Sequence, residues 1–295
     1  MNHNIILYKK YLIYENKVIF GPEFNDKLDD YIDIISKYDE LIFSNYTYTE
    51  YDGNYDCTMT IKTNNMYCIN NRHKNIGSQF IGSKFNQCVT IPQNITHLNF
   101  GYYFDQKVII PQNVIHLTFG NYFNQQVIIP QNVIHLTFGN FFNQQVIIPE
   151  NVTHLTFDYY FNQQVIIPQS VIHLTLGCSF NQQINLPNIK YIKLNCNNID
   201  IIENLPNSIE EIIFGYHFNS ELLNLPNSIK KISFDKYGNY DKELNCLPEF
   251  VEYLELNENY DKKISKFPLN LKTIKCDREY DYIDDFKDKY NVIQI

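Results

Sequence analysis

The chain has 295 residues, with 24 Lys and Arg against 33 Asp and Glu, a formal net charge of −9. Arg72 and Arg278 are its only arginines. The concentrated basic face of a duplex nucleic-acid binder is therefore not expected. No apolar run approaches the ~20 residues that cross a bilayer, and Lys9 and Lys10 interrupt the apolar N-terminus, so neither a membrane span nor a secretory signal is expected.

At 44% hydrophobic and 15% aromatic residues the chain can bury a core. Its seven cysteines (Cys57, Cys68, Cys88, Cys178, Cys196, Cys246 and Cys276) are odd in number and contain no CxxC pair. That pattern fits reduced thiols in an intracellular, cytoplasmic setting.

From the N-terminus, YLIYENKVIF (11–20) and DELIFSN (39–45) read as strands. Between them, Leu28, Ile32 and Ile35 fall at i, i+4 and i+7, which predicts one short helix within 26–41. Residues 50–78 are polar and carry no clear pattern.

From residue 79 a repeat takes over. Prolines stand at 92, 111, 130, 149, 168, 187, 206, 226, 248 and 268, with a step of 19 that later widens to 20 and 22. PQNVIHLTFGNYFNQQVII (111–129) returns almost unchanged at 130–148 and 149–167. Within each unit, His-Leu-Thr-Phe alternates polar and apolar, the period of a strand with one buried face. Val114, Leu117 and Phe119 recur as Val133, Leu136 and Phe138. A second aromatic column runs Phe85, Phe104, Phe123, Phe142, Phe161, Phe180, then Ile199 and Phe218. The residue before each of these prolines is apolar. Such columns bury themselves only if each coil stacks on the next. Nineteen residues leave no room for a long helix. Gly120 suits a bend, Asn124 or Gln125 can bond exposed turn amides, and Pro111 suits a corner.

The F-N-x-x-[VI]-x-[IL]-P pattern with L-x-x-L-x-F-G resembles the FNIP repeat, a relative of the leucine-rich repeat found in social amoebae and large DNA viruses. The resemblance implies a mainly β, leucine-rich-repeat-like solenoid of about ten coils of 19–22 residues, with parallel strands and little helix. It also implies a role in protein recognition, in the host cytoplasm if the protein is viral. Many relatives carry an F-box that makes the repeats the substrate reader of a ubiquitin ligase; residues 1–45 lack its Leu-Pro element. The expected organisation is an N-terminal cap (1–78), the repeat solenoid (79–276) and a C-terminal cap (277–295). Val18 to Asn25 matches the L-T-F-G-N-Y-F-N stretch position for position, so the N-terminal cap contains degenerate repeat.

Four columns are candidates for function. His97, His116, His135, His154 and His173 stand on the solvent side of the strands. They are open to three readings: a binding face, a metal-ligating row, or a ladder position that simply tolerates His. Thr118, Thr137, Thr156 and Thr175 lie two residues on, as a pleated-surface row. Tyr103, Tyr122, Phe141 and Tyr160 point away from the buried phenylalanines, toward the rim. Ile109, Ile128, Ile147 and Ile166 form a further outward column, which becomes Asn185, Asn204 and Asn224 later on.

Residues 92–186 hold only four charged side chains (Asp105, Lys107, Glu150 and Asp158), whereas 187–295 hold 19 acidic and 14 basic ones. No nucleophile-elbow, P-loop, zinc-protease or dinucleotide motif is present. The expectation is a non-enzymatic scaffold with no cofactor and no resident metal, binding another protein through the His, Thr and Tyr/Phe columns. The alternatives are a ubiquitin-ligase adaptor and a polysaccharide-acting β-solenoid enzyme.

Overall fold

The computed structural model describes residues 5–7, 11–21, 24–43 and 84–294. The patternless segment 50–78 lies outside them. The chain divides into two units, Met1–Pro130 and Gln131–Ile295.

The first unit opens with β1 (Ile5–Leu7), β2 (Tyr11–Tyr14) and β3 (Lys17–Phe20), joined as antiparallel neighbours. Glu15, at φ 51°, takes the left-handed turn between β2 and β3. From β3 onward the pairing turns parallel. After a 3-10 turn (Leu28–Tyr31) and α1 (Ile32–Ile35) come β4 (Glu40–Phe43), β5 (His97–Asn99) and β6 (His116–Thr118), each beside its predecessor. The helix expected over 26–41 is thus only a 3-10 turn and one α-turn. Leu28 and Ile35 are buried, but Ile32 is 37% exposed, because a single turn is too short to hold three residues on one buried face. Phe20 and Phe24 are buried, and the Phe24 amide donates to the Gly21 carbonyl (3.1 Å), as Phe104 does to Gly101 (3.2 Å).

The second unit is parallel throughout. It comprises β7 (His135–Phe138), β8 (His154–Phe157), β9 (His173–Leu176), β10 (Tyr191–Leu194), α2 (Ile199–Glu203), β11 (Glu211–Phe214), β12 (Lys231–Phe234), β13 (Tyr253–Glu255), β14 (Thr273–Cys276) and β15 (Asn291–Gln294). Every neighbouring pair is parallel and keeps its columns aligned, from His135 opposite His154 to Thr273 opposite Asn291. The fold is mainly β, a leucine-rich-repeat-like solenoid with little helix. It has about twelve turns rather than ten.

Stacked rings fill each core. Phe104 lies 6.1 Å from Phe123, nearly parallel, and Phe142 lies 6.0 Å from Phe161. Each of these rings also faces the phenylalanine that ends its own strand, as Phe142 does Phe138 at 3.9 Å and Phe161 does Phe157 at 3.8 Å. Burying one such side chain is worth ~1.5–3 kcal/mol, and the ring geometry adds ~0.5–1.5 kcal/mol per pair.

The Asn and Gln after each core phenylalanine have one shared purpose. The Asn143 Oδ1 accepts from the Asn162 backbone amide one coil on (2.9 Å) and from the Gln163 side chain (3.1 Å). Asn162 repeats this with Asn181 and Gln182. In the first unit Asp105 takes the acceptor's place, holding Asn124 and Gln125 at 2.9 and 3.0 Å. The turn amide that lacks a strand partner is thus satisfied by the coil before it.

Glycine at the strand end answers to space rather than to backbone angle. A Cβ on Gly120 would stand 1.8 Å from the Gly101 carbonyl, and one on Gly177 would stand 2.1 Å from that of Asp158.

One column departs from the sequence expectation. His173 pairs with Tyr191, eighteen residues on, and Tyr191 pairs with Glu211, twenty residues on. The strand arrives one residue early, so Asn198, not Ile199, falls in line with Phe180. Ile199 is 44% exposed, while α2 buries Ile201 and Ile202. Asn198 is buried, its side-chain amide donating to the Gln182 carbonyl (3.1 Å).

Beyond Phe218 the aromatic column continues as Tyr240, Tyr260 and Tyr280, with centroids 6.0–6.3 Å apart. Tyr260 and Tyr280 donate their hydroxyls to the Lys242 and Lys262 carbonyls (3.1 and 2.6 Å). The buried Tyr240 Oη has no partner. Tyr240→Phe is therefore expected to raise unfolding stability by about 1 kcal/mol, read by urea denaturation. Asn143→Ala is expected to lower it by about 1–2 kcal/mol, while Asn143→Asp, which copies Asp105, costs less than half as much. Equal losses for the two Asn143 variants would refute the acceptor role.

Candidate functional site

The outer face of the strands is set by their alternation. Leu and Phe point inward and are buried, while His and Thr between them are half-buried on the other face. The expected columns assemble as rows within each unit. In the first, His97 pairs with His116 and Asn99 with Thr118. In the second, His135, His154 and His173 are in register, as are Thr137, Thr156 and Thr175.

The imidazoles stack. Centroids are 4.2 Å apart for His97 and His116, and 4.1 Å for both His135–His154 and His154–His173, at 10–18° between planes. Tyr191 extends the second stack at 4.2 Å. Two rings carry a local tether. Thr153 Oγ1 lies 2.8 Å from His154 Nδ1 and donates to the Ile134 carbonyl (3.4 Å). The Ile134 carbonyl also accepts the Thr153 and His154 backbone amides at 2.9 and 3.2 Å, so strand pairing and side-chain tether meet at one oxygen. Thr96 makes the same pair of contacts with His97 and the Asp39 carbonyl, at 2.9 and 3.3 Å.

Burial and close stacking disfavour the charged form of His154 and His173. Burial first, then the flanking His135 and His173, pushes the His154 pKa down to about 4. His173 is lowered by burial and by His135, with Glu211 pulling the other way. Parallel rings also direct their lone pairs in parallel, not toward one ion. Among the described residues no group of three or more His, Cys, Asp or Glu is placed to hold a metal ion.

After Tyr191 the column changes chemistry. Glu211 pairs with Lys231 (2.8 Å), whose ammonium lies over Tyr253. In the Thr column, Glu255 meets Lys275 at 2.6 Å. The face thus passes within the second unit from neutral rings to alternating charge.

The aromatic row stands at the turn after the strands. Tyr103 stacks on Tyr122 at 5.2 Å and Phe141 on Tyr160 at 5.0 Å, and all four are 39–46% exposed. Tyr102 and Tyr159 meet them edge-on. His217, which contacts Tyr159, extends this column. Its place one residue before Phe218 was the available sequence signal. Ile109, Ile128, Ile147 and Ile166 are 87–89% exposed, away from the strands.

The FNIP Repeat family profile matches residues 85–110, 104–141, 142–179, 164–197 and 197–237, more than half of the chain. The chain belongs to the FNIP repeat family. It is similar to the crystal structure of CroV588, a giant-virus protein described as a novel circular LRR protein structure. The two share 30% identity with a TM-score of 0.61, over 92% of this chain. The FNIP chain spans 42% of the length of that protein. No curated protein sequence matches it. Among the described residues no helix is long and apolar enough to cross a membrane.

The neutral stack implies a defined pH response. A histidine whose folded pKa is lowered binds fewer protons folded than unfolded between 6.5 and about 4. Stability must therefore fall as pH drops through that window. His154→Gln is expected to lose less stability than the parent between pH 7 and pH 5 in parallel urea titrations. An identical pH slope in both proteins would contradict the depressed pKa.

Proposed function

We propose that this FNIP-repeat chain is a non-enzymatic recognition scaffold that binds another protein through the strand face. Repeat arrays of this family and of leucine-rich repeats are generally scaffolds, and their long surfaces suit protein partners. The observation that carries the reading is the chemistry of that face. In each unit His and Thr rows lie half-exposed beside a rim of exposed aromatic rings, and in the second unit His154 and His173 are held toward the neutral form. Neutral imidazoles and hydroxyls cost less to desolvate than charged groups, and Tyr is a favoured interface anchor. Contact spread over several coils makes single substitutions weaken binding rather than abolish it. A catalytic reading has less support: Asp105, Glu150 and Asp158 are the only carboxylates in residues 92–186, and an active site needs unlike groups converging on one point.

Adaptor function in ubiquitin ligation is the second reading, and it requires residues 1–78 to stand in for an F-box. Affinity capture from amoebal host cells, with the intact chain and with residues 79–295, separates the two. Ligase subunits recovered only with the intact chain would favour the adaptor. For the surface itself, Thr137→Glu with Thr156→Glu is expected to weaken the captured partner at least tenfold. Ile147→Glu with Ile166→Glu is expected to leave it within twofold. The reverse result would move the interface to the isoleucine row and overturn the strand-face reading. Both variants are compared at equal thermal stability.

A further inference from the structure

Cys178 and Cys196 follow two adjacent strands and are both free thiols, one half-buried and one buried. Their relation follows from the ladder. Leu176 pairs with Leu194, and the parallel pattern runs one step further because the Asn195 amide donates to the Leu176 carbonyl (2.9 Å). Continued by two residues, that register brings Gly177 to Asn195 and Cys178 to Cys196. Neighbouring strands lie ~4.8 Å apart, inside the ~4.4–6.8 Å between Cα atoms that a disulfide spans, and the two Cβ atoms need close by only a fraction of an ångström to reach its ~3.5–4.5 Å. The two thiols also sense each other electrostatically, together with Asp158 and Lys193.

We propose that Cys178 and Cys196 form a reversible disulfide that staples β9's coil to β10's. The oxidant is a small-molecule disulfide such as oxidised glutathione. The Cys178 thiolate attacks one of its sulfurs, forming a mixed disulfide and expelling one glutathione thiolate. The Cys196 thiolate then attacks the Cys178 sulfur and expels the second. The two cysteine protons end on the two glutathione thiolates, so one protein dithiol and one glutathione disulfide give one protein disulfide and two glutathiones. Burial raises the pKa of both thiols. The thiolate fraction near neutrality is small, and exchange is correspondingly slow.

The position gives the staple a purpose. This is the coil where the repeat step breaks and where polar Asn198 replaces a core phenylalanine. A layer without its ring is the natural place for local opening, and a cross-link between its two coils opposes that opening.

The test incubates the native full-length chain in oxidised-to-reduced glutathione mixtures, then blocks free thiols and maps peptides without reduction. The expected product is a cross-linked Cys178–Cys196 peptide, lighter than the two thiol peptides by two hydrogens. Amide exchange in 196–205 should slow roughly tenfold on oxidation and recover on reduction. Cys178→Ser, at the half-buried position, should abolish both changes while leaving the circular dichroism unchanged. It also keeps the test valid if Cys196 variants fail to fold. Two outcomes would overturn the staple: both thiols still alkylatable after native oxidation, or a cross-link that appears only in denaturant or joins other cysteines.

Discussion

Superposition of like on like, one coil above the next, is the constraint on which everything else in this protein depends. A single nineteen-residue coil has one Leu, one Val, one Ile and two Phe to bury and cannot cover them by itself. Stacked, Phe142 finds Phe161 at 6.0 Å and Phe138 finds Phe157 at 5.4 Å, both nearly parallel. The same translation that stacks the rings brings each turn amide beneath an acceptor one coil earlier, as with Asn162 and Asn143. Apolar burial and hydrogen-bond satisfaction are thus met by one geometric operation. This is why the F-N-Q triplet recurs as a block: Phe fills the layer, Asn accepts, and Gln donates to the shared oxygen.

That operation explains how much of the fold could be read from the chain. Columns at a fixed step of 19 must be laterally adjacent, so the strand positions, their parallel sense and the buried Leu and Phe sets were legible. Phe20 and Phe24, which the sequence match at 18–25 aligns with the two ring positions, are both buried. What could not be read is where the step and the register part company. Proline positions keep a step of 19 through 187 and 206, yet the strand between them begins a residue early. Counting from the prolines therefore placed Ile199 in the core, when the pairing of Leu194 with Leu176 puts Asn198 there. The Tyr240, Tyr260 and Tyr280 column was hidden for a related reason: the steps had widened, and tyrosine did not match a phenylalanine template although its ring does the same work.

The candidate surface was legible in composition but not in state. Sequence alone located the His, Thr and aromatic rows and their outward direction. Whether the histidines are charged depends on ring separation and burial, which only coordinates supply. At 4.1 Å, adjacent imidazolium ions would repel strongly, and half-burial penalises each charge further. His154, between two neighbours, is displaced to about 4. The Thr153 hydroxyl, 2.8 Å from the His154 Nδ1, tethers the ring, a contact that no sequence column announces.

The contrast along the second unit follows from the same translation. A column that repeats one residue type places identical groups at close range, so an ionised type would be self-repelling. The chain resolves this in two ways. Where the repeat is nearly perfect, the column is made of groups that tolerate likeness: neutral imidazole, threonine, phenyl. Where the repeat has drifted, likeness is broken, and charges alternate as Glu211 with Lys231 and Glu255 with Lys275. Surface ion pairs of this kind contribute modest stability. Their value is that each coil avoids its neighbour's charge, which frees the column to diverge. A near-identical array therefore has to present a neutral face, and an acidic surface becomes available only where the repeat has been allowed to vary. The neutral rows and the charged rows are two consequences of one stacking rule, and any partner of the His and Thr rows must be recognised by shape and hydrogen bonding rather than by charge.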